Sequence, residues 1–143
     1  MTQEIARKLS VVEIQAIFDR SPFIAWLGLQ VVSLDHDRQQ ISVRMAMRPE
    51  FERRPGTRQF HGGPIAAFID VTGDFAVGMT AGGGVPTMNF RTDFLRPAIG
   101  EALIAVARVR RAGRTTAIVD IEVVDDQERL VALGRGTYAS TAG

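Results

Sequence analysis

The sequence predicts an α+β fold in which an antiparallel β-sheet wraps a long central helix. Three observations predict it. From Gly62 to Thr80 the stretch GGPIAAFIDVTGDFAVGMT carries Asp70 and Asp74 as its only formally charged side chains. A helix that is apolar or small nearly all round belongs in an interior. Two strand-like runs precede this stretch and four follow it. The later runs are separated by turn-like segments, Arg96 to Gly100, Arg111 to Arg114 and Asp125 to Glu128. Strands segregated around one buried helix make an α+β domain, and this order of elements is that of a hot-dog arrangement.

Taken in order, Leu9, Val12, Ile14, Ala16, Ile17 and Phe18 give an amphipathic helix over Ile5 to Phe18, within an N-terminal helical segment 1–22 that Ser21-Pro22 ends. Phe23, Ile24, Trp26 and Leu27 form an apolar cluster before Gly28, a short helical turn plugging one end of the fold. Leu29 to Leu34 and Ile41 to Met47 read as strands joined by the polar turn Asp35 to Arg38. Arg48 to Phe60, with two prolines and four arginines, is a loop. The central helix spans 62–80 and ends at the glycine run Gly82 to Gly84. Ile65, Phe68, Ile69, Thr72, Phe75, Ala76 and Met79 fall on one broad packing face. Gly63, Ala66, Ala67, Asp70, Gly73, Asp74 and Val77 form a second stripe, mostly of small residues. The remaining strands are Thr87 to Leu95, Ala102 to Arg110, Thr115 to Val124 and Leu130 to Tyr138.

A chain of 143 residues without a linker or repeat is expected to form one domain, 1–143, with a real core. Its formal charge of +1 supplies no global field for nucleic acid or an anionic membrane surface. The absence of cysteine excludes disulfides, thiolate nucleophiles and zinc–thiolate sites. The N-terminus lacks an apolar signal core and no stretch is long and apolar enough to span a bilayer, so a cytoplasmic location is the expectation.

The chemistry concentrates where the loop becomes the central helix. His61-Gly62-Gly63 stands at a helix start, whose first N–H groups lack intrahelical partners and whose dipole adds partial positive charge. Glycines there let a substrate carbonyl approach those N–H groups with no Cβ in the way. A bare helix start is the bland alternative. Asp70, nine residues after His61, is the anomaly of the small-residue stripe, because burying an unpaired carboxylate is expensive. It is either paired to an arginine from elsewhere or a base whose pKa its apolar neighbours raise. Asp74, one turn on, faces a subunit interface or solvent and is the lesser candidate. His36, in a polar turn, reads as solvated. Neither a metal site nor a serine triad can be drawn from two histidines.

The strings HGGPIAAFID, TMNFRTDFLRPA and RVRRAGRTTAIVDIEVVDDQERLVALGRGTY together closely resemble the hot-dog acyl-CoA thioesterases of the phenylacetate-pathway type, over roughly Phe23 to Tyr138. The resemblance implies that Asp70 acts on the thioester carbonyl as general base or as nucleophile. It implies that the Gly62 N–H binds the carbonyl oxygen, that His61 helps position the thioester, and that Thr87, ten residues before Pro97, holds the water for Asp70. An acyl-CoA substrate, no metal and no cofactor are expected. The family site forms across two subunits, so a homodimer or homotetramer (a dimer of dimers) is expected. Relatives often carry Asn six residues before the His; here Pro55 has no amide to donate, so that contact is missing or the loop realigns.

Coenzyme A presents phosphates, which arginine meets through paired hydrogen bonds. Arg110, Arg111 and Arg114 around a glycine turn, and Arg96 before Pro97, are the candidates, with Gly63 beside the carbonyl; Arg53, Arg54 and Arg58 share the ambiguity of phosphate ligand against solvated charge. The rival function is a non-catalytic acyl-CoA-binding hot-dog protein. A hot-dog hydratase fits less well, since its Asp and His lie close together on one element.

Overall fold

The computed structural model describes residues 7–143. Its elements are α1 (Val11–Arg20), α2 (Pro22–Leu27), β1 (Gln30–Asp35), β2 (Gln40–Ala46), a 3-10 turn (Pro49–Phe51), α3 (Gly62–Ala81), β3 (Thr87–Phe94), β4 (Ala102–Ala112), β5 (Thr116–Val124) and β6 (Leu130–Ala139). The strands form one antiparallel sheet in the order β1-β2-β4-β5-β6-β3. No described helix is long and apolar enough to cross a membrane.

Register explains why one face of that sheet is dry. Across the ladders Val43 faces Ala105, Ala105 faces Val123 and Val123 faces Ala132, while Ala107, Ile121 and Gly134 form a parallel row. Alternate residues share a face, so these rows present one apolar surface on which α3 lies. Ile65, Phe68, Ile69, Thr72, Phe75, Ala76 and Met79 of α3 are all buried. Two β6 glycines let the helix settle. A Cβ on Gly134 would stand 2.4 Å from Ile69 Cγ2, and one on Gly136 would stand 2.5 Å from the Tyr138 ring.

The N-terminal helix differs from the expectation of a start near Ile5: residues 1–6 lie outside those described, and residues 7–10 are not helical. It begins at Val11 because Ser10 forms a capping box with Glu13, each side chain taking the other's backbone N–H. Ser21 ends α1 and opens α2, and Gly28 closes α2 at φ +69°. Phe18 meets Phe75 edge to face at 4.9 Å, fixing α1 against α3. Gln15 covers the β1 edge, its side chain bonding the Leu29 carbonyl and the Val31 N–H. His36 is not simply solvated either: its Nε2 lies 2.8 Å from the Leu9 carbonyl and ties the β1–β2 turn to the chain before α1. The other sheet edge, β3, leaves Met88 and Phe90 exposed.

Candidate active site

Residues 48–60 hold the start of α3 in place. Arg48 stacks its guanidinium on Trp26 and on Phe51, 4.4 and 4.7 Å from the ring centroids. Arg54 to Thr57 make a turn with Pro55 second and Gly56 third at φ +78°, a pairing suited to a type II turn. Pro55 is exposed at its tip and lines no described cavity. The two arms of this loop join at Glu52 and Phe60. Phe60 N–H donates to the Ala98 carbonyl, and His61 N–H to the Phe51 carbonyl at 2.7 Å.

His61 is the N-cap of α3, its Nδ1 accepting a long 3.4 Å bond from the Gly63 N–H. The Gly62 N–H has no acceptor among the described residues. Phe94 lies over this spot; a Cβ on Gly62 would be 3.3 Å from Phe94 Cζ. A cavity of about 480 Å³ opens here, lined by His61, Gly62, Phe94 and Pro97 with Arg53 and Arg96 at its rim. On the other side of His61 a second, largely apolar cavity of about 290 Å³ is lined by Phe23, Trp26, Leu27, Pro64 and Ala67.

Asp70 is half-buried in the middle of α3. Thr87 Oγ1 donates to its Oδ1 at 2.8 Å, and no arginine or lysine among the described residues pairs with it. Burial raises its pKa above the ordinary carboxylate range and the Thr87 hydroxyl pulls it partly back. Behind it the fully buried Tyr138 donates its hydroxyl to the Asp70 carbonyl oxygen at 3.1 Å. Gly73 makes room for that ring, since a Cβ there would meet Tyr138 Oη at 2.2 Å. Asp74 does not turn to solvent. It is half-buried, and its Oδ1 accepts the Val85 N–H at 2.7 Å.

The sequence-derived residues thus fall into two groups. Thr87 and Asp70 meet, whereas His61, Gly62 and Gly63 stand at the helix start. Eight residues at ~1.5 Å each separate Gly62 from Asp70 by roughly 12 Å along the axis, and Asp70 lines neither cavity beside His61. Of the four candidate arginines only Arg96 reaches the larger cavity. Arg110 is engaged by Asp120 at 3.5 Å, a carboxylate that also takes two bonds from Arg135. Arg111 and Arg114 are exposed at the β4–β5 hairpin. That hairpin adjoins the start of β3, through Ser140 N–H to Thr115 and Ala139 N–H to Pro86, at the end of the sheet away from His61. Arg53, Phe94 and Tyr138 gave no decisive signal in the sequence; aromatic residues in strands are ordinary core, and only the folded chain brings these three to the site. Among the described residues no three His, Asp or Glu side chains converge as a metal site requires.

Residues 60–132 match the family model of the thioesterase superfamily. The chain belongs to that superfamily. It is 30% identical over 125 residues to the acyl-coenzyme A thioesterase PaaI of Escherichia coli (strain K12), covering 85% of this chain and 84% of that protein. It is 26% identical over 132 residues to the medium/long-chain acyl-CoA thioesterase YigI of the same strain, covering 82% and 84%. The solved structure of the E. coli PaaI protein superposes with a TM-score of 0.78 at 27% identity, covering 91% of each chain. The protein is a PaaI-like hot-dog thioesterase, a thioester hydrolase, and its six-stranded antiparallel sheet around a 20-residue α3 is the hot-dog architecture.

Proposed function

We propose that this thioesterase hydrolyses acyl-CoA to a free acid and coenzyme A, with Asp70 as general base and the Gly62 N–H as the donor to the thioester carbonyl oxygen. The observation that carries this reading is the Asp70 carboxylate itself: half-buried, without a cationic partner among the described residues, and held through one oxygen by Thr87. That bond leaves Oδ2 free to take a proton from water. Water oxygen then bonds to the carbonyl carbon, the carbonyl electrons move to the oxygen held by Gly62 N–H, and Asp70 receives the proton. On collapse the C–S bond breaks and the thiolate leaves, with the proton on Asp70 available to it. The raised pKa of Asp70 makes it a stronger base than a solvated carboxylate. His61 orients the helix start and flanks both cavities, Gly63 keeps the approach open, and Arg53 with Arg96 supply positive charge for the phosphates.

The donor and the base act on one carbonyl, so the ~12 Å between them within a protomer calls for a second copy. Two features support a homodimer: the edge strand β3 carries exposed Met88 and Phe90, and Asp70 lies close behind it, bonded to Thr87 at its first position. Antiparallel pairing across β3 would bring one protomer's helix start toward the partner's Asp70 end. It would also bring the Arg110, Arg111 and Arg114 hairpin toward the same mouth. Asp70→Asn is the direct test. Thiol release from a panel of short-chain, long-chain and aryl acyl-CoAs should fall by at least ~10²-fold with the fold intact; near-parental turnover in a pure preparation refutes the assignment.

A further inference from the structure

Asp74 is unused by the chemistry above, yet it lies one turn from Asp70 on the same side of α3. Its Oδ1 holds the Val85 N–H at 2.7 Å, and Gly84 passes so close that a Cβ there would sit 3.7 Å from both carboxylate oxygens. Val85 is the buried residue of segment 82–86, which joins α3 to β3 and opens with three glycines. Two carbonyls of that segment are gripped from elsewhere, Pro86 by Ala139 N–H at 2.8 Å and Gly84 by Gly143 N–H at 3.1 Å. Beyond the helix cap, where Gly82 and Gly83 both donate to the Gly78 carbonyl, the Asp74–Val85 bond is what ties the segment to α3. Thr87 follows two residues later, and its hydroxyl closes a ring back to Asp70.

We propose that Asp74 is a positioning residue for thioester hydrolysis: it anchors segment 82–86 to α3 and so holds the Thr87 hydroxyl on Asp70. The inference rests on the roles given to Asp70 and Thr87 above. The titratable groups facing Asp74 are Asp70 on its own helix and Tyr138 from β6; segment 82–86 carries none. Burial first, and the Asp70 charge after it, raise Asp74 to about 7 against the opposing Val85 N–H. Asp74 therefore changes charge near neutrality beside the base, and this adds an upper step near pH 7 to the pH–rate profile.

The test is a double-mutant cycle in kcat with Asp74→Ala and Thr87→Ala, each checked for fold by circular dichroism. Each single variant should lose about tenfold in kcat with KM nearly unchanged, and the double variant should lose little more than either alone. Asp74→Asn keeps an oxygen for the Val85 N–H, so it should recover most of the Asp74→Ala loss while its pH–rate profile lacks the upper step. Losses that multiply in the double variant, an Asp74→Asn enzyme as slow as Asp74→Ala, or an upper step that survives Asp74→Asn would each overturn the proposal. If Asp74→Ala does not fold, Asp74→Ser takes its place in the same cycle. Asp70→Asn run alongside separates the two readings. Turnover by that variant defeats the hydrolytic roles themselves, whereas an inactive Asp70→Asn with multiplying losses defeats only the role of Asp74.

Discussion

A site assembled from two protomers makes a quantitative prediction when its halves are disabled on different chains. Gly62→Pro disables the carbonyl-binding half. Gly62 is the first residue of α3, where proline's φ is already helical and its missing N–H costs the helix no bond. His61, at φ −65° and ψ 154°, has the extended backbone that a residue before proline needs. The new Cβ would stand 3.3 Å from Phe94 Cζ, at the end of a ring that is 55% exposed and free to give way. The fold should survive while the donor is lost, and removing one such donor costs ~10²–10³ in kcat, about 3–4 kcal/mol.

Asp70→Asn disables the other half. Each variant alone should retain at most about 1% of parental turnover. Mixed in equal amounts and re-paired at random, half of the dimers carry one chain of each kind. In such a dimer one site is doubly disabled, and the other joins an intact Asp70 to an intact Gly62. Half of the sites in half of the dimers is about one quarter of parental activity, a rise of at least ~25-fold over either variant. Thiol release is measured before and after a cycle of dissociation and re-pairing, with sedimentation confirming the dimer. A mixture that stays at the mean of its two components refutes the shared site.

Three further outcomes are accessible to ordinary assays. Asp74 has a folded-state pKa of about 7 against an ordinary 3.8, so its contribution to stability is full below pH 4 and is lost as pH rises through 7; at ~1.4 kcal/mol per pH unit this one group's share of the loss is roughly 4 kcal/mol. Asp70 adds loss of the same sign, whereas Asp120 and Asp125, whose pKa values are lowered, oppose it only at acid pH; between pH 5 and 7 Asp74→Asn should therefore flatten the slope, and urea midpoints that fall equally in both proteins would contradict it. Gly73→Ala should lower stability by about 2 kcal/mol despite better helix propensity, because the new Cβ would meet Tyr138 Oη at 2.2 Å and Ile121 Cδ1 at 3.1 Å inside a close-packed core; a raised melting temperature would show that the ring gives way freely. Arg96→Ala should raise KM for acyl-CoA several-fold with kcat held, worth about 1 kcal/mol for a rim charge; an unchanged KM would remove Arg96 from phosphate binding.

The fold was legible because its signals are local and repeated. Glycines bracket α3, a run small and apolar but for Asp70, Thr72, Asp74 and Thr80 fills it, and six strand-like runs predict the strands to within one or two positions. The start of α1 was written in the sequence too: Ser10-Val11-Val12-Glu13 is a capping pattern, and apolar spacing alone extends the helix too far toward residue 5. The site was legible only where chemistry is rare. A carboxylate among small residues is conspicuous, so Asp70 stood out, and Thr87 followed from the resemblance. Tyr138 did not, because a tyrosine ending a strand is ordinary until the glycines at 73 and 136 are seen to clear a path for its ring. The contact of Asp74 was equally hidden, since its partner is a backbone N–H and side-chain spacing carries no trace of one.

Why these residues lie on α3 follows from what the proposed base needs. A carboxylate is a stronger base near neutrality when its pKa is raised, and partial burial raises it at a cost in stability. The cost is tolerable on an element that the rest of the fold already over-determines. The α3 helix is such an element: its far side is locked into the sheet by Phe68, Ile69, Thr72 and Met79, and Gly134 seats Ile69. Tyr138 grips the backbone of Asp70, and Thr87 grips its side chain. The helix therefore holds the proposed base still, while at its other end one N–H has no acceptor among the described residues. On the proposed reading one rigid rod carries both halves of the chemistry too far apart to meet on one carbonyl, and a two-fold axis reversing a second rod beside it would bring each half to its complement.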